Sequence, residues 1–533
     1  MGGGLLQLVA YGAQDAYITG NPHITFWKVL YKRHTNFAME AFRVNFTGAP
    51  QYGQRVVAVV NRNADLMYKT YLEVQLPDTQ SVVFGGSTKA VQWSGAWERR
   101  IGYQLLKKIE VEIGGQIIDT HYGEWLFLWE NLTSGFDNSV KLDSMTGGYL
   151  GGSTTTNISC GGRPNILYIP LQFWFCRNPG LALPLIALQY HEVRINVTLS
   201  PATDLVSKGT YTSVSQAASA LPQLKDMSLY IDYVYLDVDE RRRFAQQSHE
   251  YLIDQLQFGL QQTLTTSSAR IDLTLNHPVK ELVWVFQDAR KTDCGSDLTS
   301  NVGYTQPFSY DDIVNRCRLQ INGQDRFDER YGDYFWRVQP YQHHTGGAFW
   351  PMRAQALAPA AVTFTATNCS ITGDVLTVGT GSVFTLVTGP TSSPTQIIEG
   401  ALISYTTAGY LPPGAVISAF GSGTGGVGTY NISEVPLQAI SGLTLTFTIP
   451  NIQYTPHENP INVYSFALQP EEHQPSGTCN FSRIDTTTLV FDSITESGLS
   501  KPTKSTPFNF RMYAVNYNIF RVMSGMGGLA YSN

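Results

Sequence analysis

Polar and apolar residues alternate along Lys108-Ile-Glu-Val-Glu-Ile113 and again along Arg316-Cys-Arg-Leu-Gln-Ile321. A period of two marks a strand with one face buried and the other wet. Each run meets a two-residue turn, Gly114-Gly115 in the first and Asn322-Gly323 in the second, which predicts a tight hairpin closing on Gln116 and Gln324. Behind each hairpin the period lengthens. Tyr122-Gly-Glu leads to Trp125 and Trp129, and Tyr331-Gly-Asp leads to Tyr334 and Trp336; apolar residues three and four apart predict one short helix lying on a sheet. The two copies stand about half the chain apart, too far for a solenoid repeat, so the pattern predicts two copies of a whole domain.

Further strands are expected at Val56 to Val60, Met67 to Leu76, Leu167 to Phe175, Glu192 to Leu199 and Leu229 to Leu236 in the first copy. Those of the second copy are expected at Tyr251 to Phe258, Val279 to Phe286, Asn462 to Leu468, Thr486 to Phe491 and Phe508 to Val522. About eight antiparallel strands per copy with few helices predict an all-β protein of two tandem eight-stranded jelly rolls or sandwiches, with short helices. The organisation reads as an arm (1–27), a first roll (28–240), a charged linker (241–250) and a second roll (251–533). A small β module of residues 354–450 interrupts the second roll: its only charges are Asp374, Glu399 and Glu434, while Thr, Ser, Gly, Val and Ala dominate. The matching gap of the first roll, about 133–165, is also rich in Gly, Ser and Thr, so both rolls carry their long excursion at one place.

Length agrees with this division, since 533 residues at roughly 100 to 250 per domain gives two to four domains. A net charge of -6 removes direct nucleic-acid packaging from consideration, because no extended basic segment is present to neutralise phosphates. Lys28 to His34, Arg99-Arg100 and Arg241 to Arg243 are short patches, expected to be solvated or to face another subunit. No signal peptide and no apolar run long enough to span a membrane is visible. Cys160, Cys176, Cys294, Cys317, Cys369 and Cys479 form no CxxC pair and are expected to be free thiols.

Enzymatic chemistry finds no footing. Gly423-Thr-Gly-Gly-Val-Gly428 has the dinucleotide spacing but is followed by the strand-like Thr429 to Ile432, where a pyrophosphate would need a helix end. His343-His344 is expected to make helix-end contacts to backbone, and Glu471-Glu472 to diverge as neighbours on a loop. No catalytic residue, metal ligand or cofactor is implied.

Several long segments are specific enough to carry a resemblance. They are Leu8-Val-Ala-Tyr-Gly-Ala-Gln-Asp15 with Gly20-Asn-Pro22, the long run Tyr168 to Arg194, Asp239-Glu-Arg-Arg-Arg-Phe-Ala-Gln246 and Tyr464-Ser-Phe-Ala-Leu468. To these add Ser248-His-Glu-Tyr-Leu-Ile-Asp-Gln-Leu256, Pro470 to Asp485 and Met523-Ser-Gly-Met-Gly-Gly-Leu-Ala-Tyr-Ser-Asn533. Together they resemble the major capsid proteins of nucleocytoplasmic large DNA viruses. The resemblance implies a double jelly roll, three copies of which form a pseudo-hexagonal capsomer that meets its neighbours in an icosahedral shell. It further implies minor capsid proteins beneath that shell, and a virion assembled in the host cytoplasm. The insert departs from the family's short connector; Ile371 to Val378 and Gly421 to Tyr430 resemble a Gly and Thr-rich β module of phage structural and tail proteins, and a host surface is its expected partner. The alternative is a secreted or surface glycan-binding β-sandwich with the insert as its lectin-like part. Among the Asn-x-Ser/Thr sequons, Asn157, Asn368 and Asn431 lie in the two excursions and are the candidate glycosylation sites; Asn196 and Asn480 are expected to be buried.

Overall fold

The computed structural model describes residues 3–77, 100–147, 166–207, 221–289, 310–346, 362–388, 401–405, 417–422, 426–432, 440–449, 460–493 and 507–531, with short pieces at 83–84, 87–88, 96–97, 219, 308 and 397. The first roll contains β1 (Phe37–Asn45), β2 (Arg55–Val59), β3 (Leu66–Gln75), β4 (Leu106–Ile113), β5 (Gln116–His121), β6 (Ile166–Pro170), β7 (Leu183–Pro184), β8 (Val193–Leu199) and β9 (Asp226–Leu236). One sheet has the order β1-β9-β3-β7 with β6 also on β3, and the facing sheet has β2-β8-β4-β5.

The second roll repeats that order. Its strands are β10 (His249–Leu264), β11 (Ser268–Asp272), β12 (Pro278–Asp288), β13 (Val314–Ile321), β14 (Gln324–Asp325), β15 (Asn462–Ser465), β16 (Thr487–Ser493), β17 (Phe508–Met523) and β18 (Met526–Leu529). The sheets run β10-β17-β12-β15, with β18 on β17, and β11-β16-β13-β14. In the first roll the first strand lies beside the last and the second beside the penultimate, the jelly-roll arrangement; β10-β17 and β11-β16 repeat it in the second roll, with the short β18 added after them. The two hairpins read from sequence join the same pair of strands in each roll. Ile113 pairs with Gln116 and Ile321 with Gln324, and the turn residues Gly114, Gly115, Asn322 and Gly323 all have positive φ (60°, 85°, 48° and 78°), as a type I′ turn requires.

Two local expectations change. The run Leu167 to Phe175 is not one strand: β6 stops at Pro170, and Trp174–Arg177 forms a helical turn that buries Trp174, Phe175 and Cys176. The aromatic segment of the first roll is a regular helix, α1 (Gly123–Thr133), but its counterpart opens as a π-helical turn (Tyr334–Val338). Pro340 has no N–H to return to the Trp336 carbonyl, so the turn is wider before α3 (Gln339–His343) resumes. Between the rolls lies α2 (Val238–Gln246), whose Asp237 side chain accepts from the Val238 N–H.

The insert forms a separate sheet in the order Leu402–Ser404, Ile440–Ile449, Val362–Thr372, Val375–Val378, Gly428–Ile432, Ile417–Phe420, with Phe384–Thr388 also on Val362–Thr372. It has its own core, built on Phe364, Leu376, Tyr430, Leu445 and Phe447. Gly428 begins a strand, so the Gly-rich run leads into no helix.

Turns 60–65, 114–115 and 185–192 lie together, tied by Val60 N–H to Val193 O, Ile186 N–H to Asp65 O and Gly114 N–H to Glu192 O. The start of β1 belongs to the same end, since Phe37 pairs with Leu236 and the Leu236 N–H donates to Asp65. At the opposite end the two excursions depart side by side: Gly346 N–H donates to Leu132 O, and the Thr345 hydroxyl to Thr133 O, at the end of α1.

Candidate functional site

Strands β12 and β17 show what this fold is arranged to do. Leu282, Trp284 and Phe286 of β12 enter the core of the second roll, whereas Val283 and Val285, pointing the other way, join the core of the first. In β17, Phe510, Met512 and Ala514 face inward while Tyr513 and Val515 reach the first roll. A strand buried on both faces belongs in the middle of a layered assembly. The two rolls are therefore welded through a seam, whose apolar part includes Trp125, Phe173 and Trp174 from the first roll.

Polar groups within the seam are matched. Glu124, in the first turn of α1 where the helix dipole favours an anion, accepts from Arg511 Nη2 at 2.6 Å, Tyr513 OH at 2.5 Å and Tyr310 OH at 3.1 Å. Burial, with the Glu124 charge added to it, pushes both phenols well above their ordinary range, which keeps them donors. Deeper in, a bulge between Val279 and Glu281 turns Lys280 out of register so that its ammonium sits 2.9 Å from Asp254. Arg177 of the first roll approaches the same Asp254 oxygen at 3.7 Å and stacks 4.0 Å above the Trp129 ring.

His344 makes the third station. Its Nδ1 lies 3.0 Å from Glu471 Oε1 and its Nε2 3.1 Å from Glu281 Oε2, with the imidazole fully buried. Burial alone would lower its pKa, but the two carboxylates outweigh burial and hold it up to about 9. The expectation of a backbone contact is met only by His343, whose Nδ1 is 3.1 Å from Leu468 O; His344 instead bridges two acids. Sequence reasoning had no means to see this, because Glu281 and Glu471 come from β12 and a distant loop. Glu471 also receives the Thr345 N–H and hydroxyl, while Glu472 is exposed, so the two neighbouring acids do diverge.

At the hairpin end the carboxy-terminal segment closes the seam. Tyr190 N–H donates to Gly525 O, and His191 Nδ1 lies 2.9 Å from Gly527 O. A Cβ on Gly525 would come within 2.6 Å of the Tyr190 ring, and one on Gly527 within 2.6 Å of Leu188. Leu188 to Arg194 and Met523 to Tyr531, both within segments that carry the resemblance, are thus partners in space.

Among the described residues the corresponding faces elsewhere are open. On the outer side of the β1-β9-β3-β7 sheet, Tyr71 stacks on Tyr230 at 5.2 Å and meets Tyr168 edge-on at 6.2 Å, and Glu73 and Asp232 lie among them, all only part-buried. Tyr331, Asp333 and Val338, which correspond to Tyr122, Glu124 and Trp129 of the first roll, are exposed, as is Tyr341. Most other aromatics fill the cores.

Of the candidate sugar sites, Asn157 lies outside the described residues. Asn368 is exposed with φ at 54°, and its side-chain N–H donates to Thr380 O at 3.3 Å; Asn431 is exposed on its strand. Asn196 is buried, donating to Glu112, but Asn480 is exposed because its side chain accepts from Ser482 N–H to cap a short helix at the surface. Cys176, Cys317, Cys369 and Cys479 are free; Cys160 and Cys294 lie outside the described residues. Among the described residues no group of three or more His, Cys, Asp or Glu is placed to hold a metal, and no helix is long and apolar enough to cross a membrane.

Residues 25–237 match the family of major capsid protein amino-terminal domains, and residues 240–351 and 446–528 match the large eukaryotic DNA virus major capsid protein family, leaving most of the insert outside both. The chain is 40% identical to the major capsid protein of Pyramimonas orientalis virus and 39% identical to that of Phaeocystis pouchetii virus, over the full length of each chain. A solved structure of PBCV-1 VP54 superposes with a TM-score of 0.61 at 29% identity, covering 96% of this chain and all of that one.

Proposed function

Because this chain belongs to the major capsid protein family of large eukaryotic DNA viruses, we propose that three copies close into a pseudo-hexagonal capsomer and that capsomers tile an icosahedral shell. One observation supports this reading: the outer face of the second roll's β10-β17-β12-β15 sheet is covered by the first roll, whereas the same face of the first roll has no cover among the described residues. On the counterpart segment of the second roll, Tyr331, Asp333, Val338 and Tyr341 are exposed and cover nothing among the described residues. A heterologous contact that joins the open sheet of one copy to the open helical segment of the next repeats the internal seam between chains. Six rolls then alternate around a ring, three seams lying within chains and three between them, and the ring leaves neither face open.

The excursion end is the outward end in this reading, and the insert stands there as a surface module facing the host. Asn431 is the better sugar acceptor, because the Asn368 amide is already engaged with Thr380. Minor capsid proteins meet the opposite end, and assembly takes place in the host cytoplasm. Sedimentation equilibrium tests the core of the proposal: the expected particle is three times 59.0 kDa. A well-folded monomer that persists at micromolar concentration would overturn it.

A further inference from the structure

We propose that the arm preceding β1 docks on the hairpin end of a neighbouring copy, with the stretch Phe26 to Arg33 entering a groove at the foot of the seam. This rests on the reading that copies of the chain assemble. Leu8, Tyr17, Ile18, Phe26, Trp27 and Tyr31 are each more than three-fifths exposed, Trp27 at 94%, and no residue of the arm's two short helices is buried. Among the described residues the arm over 3–36 has only local contacts, such as His34 against Phe37, and none of its residues is buried. A continuous apolar segment of this kind in a folded chain marks a contact with another surface.

The hairpin end offers that surface. The arm leaves from it, since Phe37 begins β1 opposite Leu236, and the same end carries Ile117, Tyr190, Met523, Met526 and Tyr531, all exposed. Between Ile117 and Tyr531 opens a groove of about 310 Å³, walled by β5 of the first roll and by β10 and β17 of the second. Its polar wall is rich in acceptors. Asn516 lines it and is fully buried; its Nδ2 donates to Tyr517 O, but its Oδ1 meets no donor among the described residues. Asp119 also lines it, a buried acid whose Oδ1 takes the Thr120 and Leu256 N–H groups and whose Oδ2 lies 3.1 Å from His121 Nε2. A buried acceptor without a donor is costly, so the fitting occupant combines an apolar body with N–H donors.

The arm supplies both in eight residues. Trp27 has an indole N–H, and Lys28, Lys32 and Arg33 have no carboxylate partner among the described residues. Reach allows another copy, since ten extended residues back from Phe37 place Trp27 up to about 33 Å away, roughly twice the ~16 Å radius of gyration of a 200-residue unit, and the arm's exposure leaves it off its own groove. The groove volume suits one aromatic side chain with its flanking backbone and not a packed helix.

The test uses the full chain with Trp27 replaced by the photo-crosslinker p-benzoylphenylalanine, assembled from a mixture of isotopically heavy and light copies. Irradiation should join position 27 of one copy to Gln116–Thr120 or to Met526–Tyr531 of another, giving heavy–light peptide pairs. Ile117→Lys and Tyr531→Ala, both at exposed rim positions, should each lower that yield at least fivefold without loss of folded protein. Cross-links confined to one chain, to lipid, to a different protein or to another part of the capsid chain overturn the proposal. Trimers that form without the cross-link overturn it and leave the capsomer reading standing, whereas a monomeric chain overturns both.

Discussion

Glu124 and Asp333 hold the same place in the two rolls, each directly after the Tyr-Gly that opens its aromatic helix, yet their surroundings are opposite. The Glu124 side chain is 13% exposed beneath Arg511, and the Asp333 side chain is 52% exposed beside Arg337. The duplicated acid is spent inside the chain in one copy and presented at the surface in the other. Glu124→Gln leaves Arg511 buried without its counter-charge and should destabilise the folded chain by about 3 kcal/mol, read as a lower urea midpoint. Asp333→Lys should change the unfolding of an isolated chain by less than about 0.5 kcal/mol. It should, however, raise the concentration at which oligomers dissociate, as followed by sedimentation. If both variants act only on folding, the counterpart relation has no bearing on assembly.

Gly123 and Gly332 give a second matched pair. A Cβ on Gly123 would stand 2.4 Å from the carbonyl oxygen of Leu106, the first residue of β4, and one on Gly332 would stand 2.2 Å from that of Val314, the first residue of β13. In both rolls the helical segment sits down on the start of the same strand, and only glycine permits that approach. Alanine at either position should cost about 1–3 kcal/mol through forced separation of backbone from backbone. A substitution that leaves the thermal midpoint unmoved would show that the helix lifts off without penalty.

These pairs explain how far the sequence could be read. Hairpins, turn glycines and two-fold periodicity are local, and Lys108 to Gln116 declares its strand, its turn and its buried face within nine residues. The duplication was legible for the same reason, because each copy repeats the local signal. Lys280 and His344 were not legible, since each owes its position to partners far away in sequence: Asp254 across a bulge in one case, Glu281 and Glu471 in the other. Val283 and Val285 lie between. Their unbroken apolar run announces a strand covered on both faces, but nothing in it says that the second cover is the other roll.

The buried bridge at His344 sets a pH window. Its folded pKa, about 9, lies above the ordinary histidine value of 6.5, so its stabilisation is fully present below about pH 6.5 and is lost as pH rises through 9. Glu471 works from the other side: burial would raise its pKa, but His344 and Thr345 outweigh burial and lower it, so its contribution is present above the ordinary carboxylate range and is lost as pH falls. The linkage to His344 is worth about 3 kcal/mol, from 1.36 kcal/mol per pKa unit. His344→Gln should therefore lower the urea midpoint strongly at pH 6 and very little at pH 10, at one fixed protein concentration. An equal loss at both pH values would mean that His344 contributes by packing alone.

Burial governs the thiols. It raises the Cys176 and Cys369 pKa values to about 11 and pushes Cys317 higher still, while Cys479 is only part-buried and less perturbed. The thiolate is the reacting species, so of these four described thiols Cys479 should alkylate first in native protein and the other three far more slowly. After denaturation without reductant, mass spectrometry should find all six cysteines modified. A reproducible disulfide would reverse the expectation of free thiols and, with it, of a reducing compartment.

The insert can be tested by removal, because its core and that of the second roll share no residue. Phe364, Tyr430 and Phe447 pack among themselves, while the roll it interrupts closes through β15 on β12, with Asn462 paired to Trp284. The large eukaryotic DNA virus major capsid protein family matches on both sides of residues 352–445 and not within them, as a roll that closes without the module would. The cut must respect His344, Thr345 and Gly346, since those three residues anchor the start of the excursion to Glu471 and to the end of α1. Replacing residues 356–450 by a short Gly-Ser linker should thus keep the roll's unfolding midpoint within about 1 kcal/mol of the parent, because long surface loops cost little to shorten. Trimers should still form, and the particle outline should lose height at the excursion end alone. If the shortened chain fails to fold, or folds and stays monomeric, the module is part of the scaffold and not a surface addition to it.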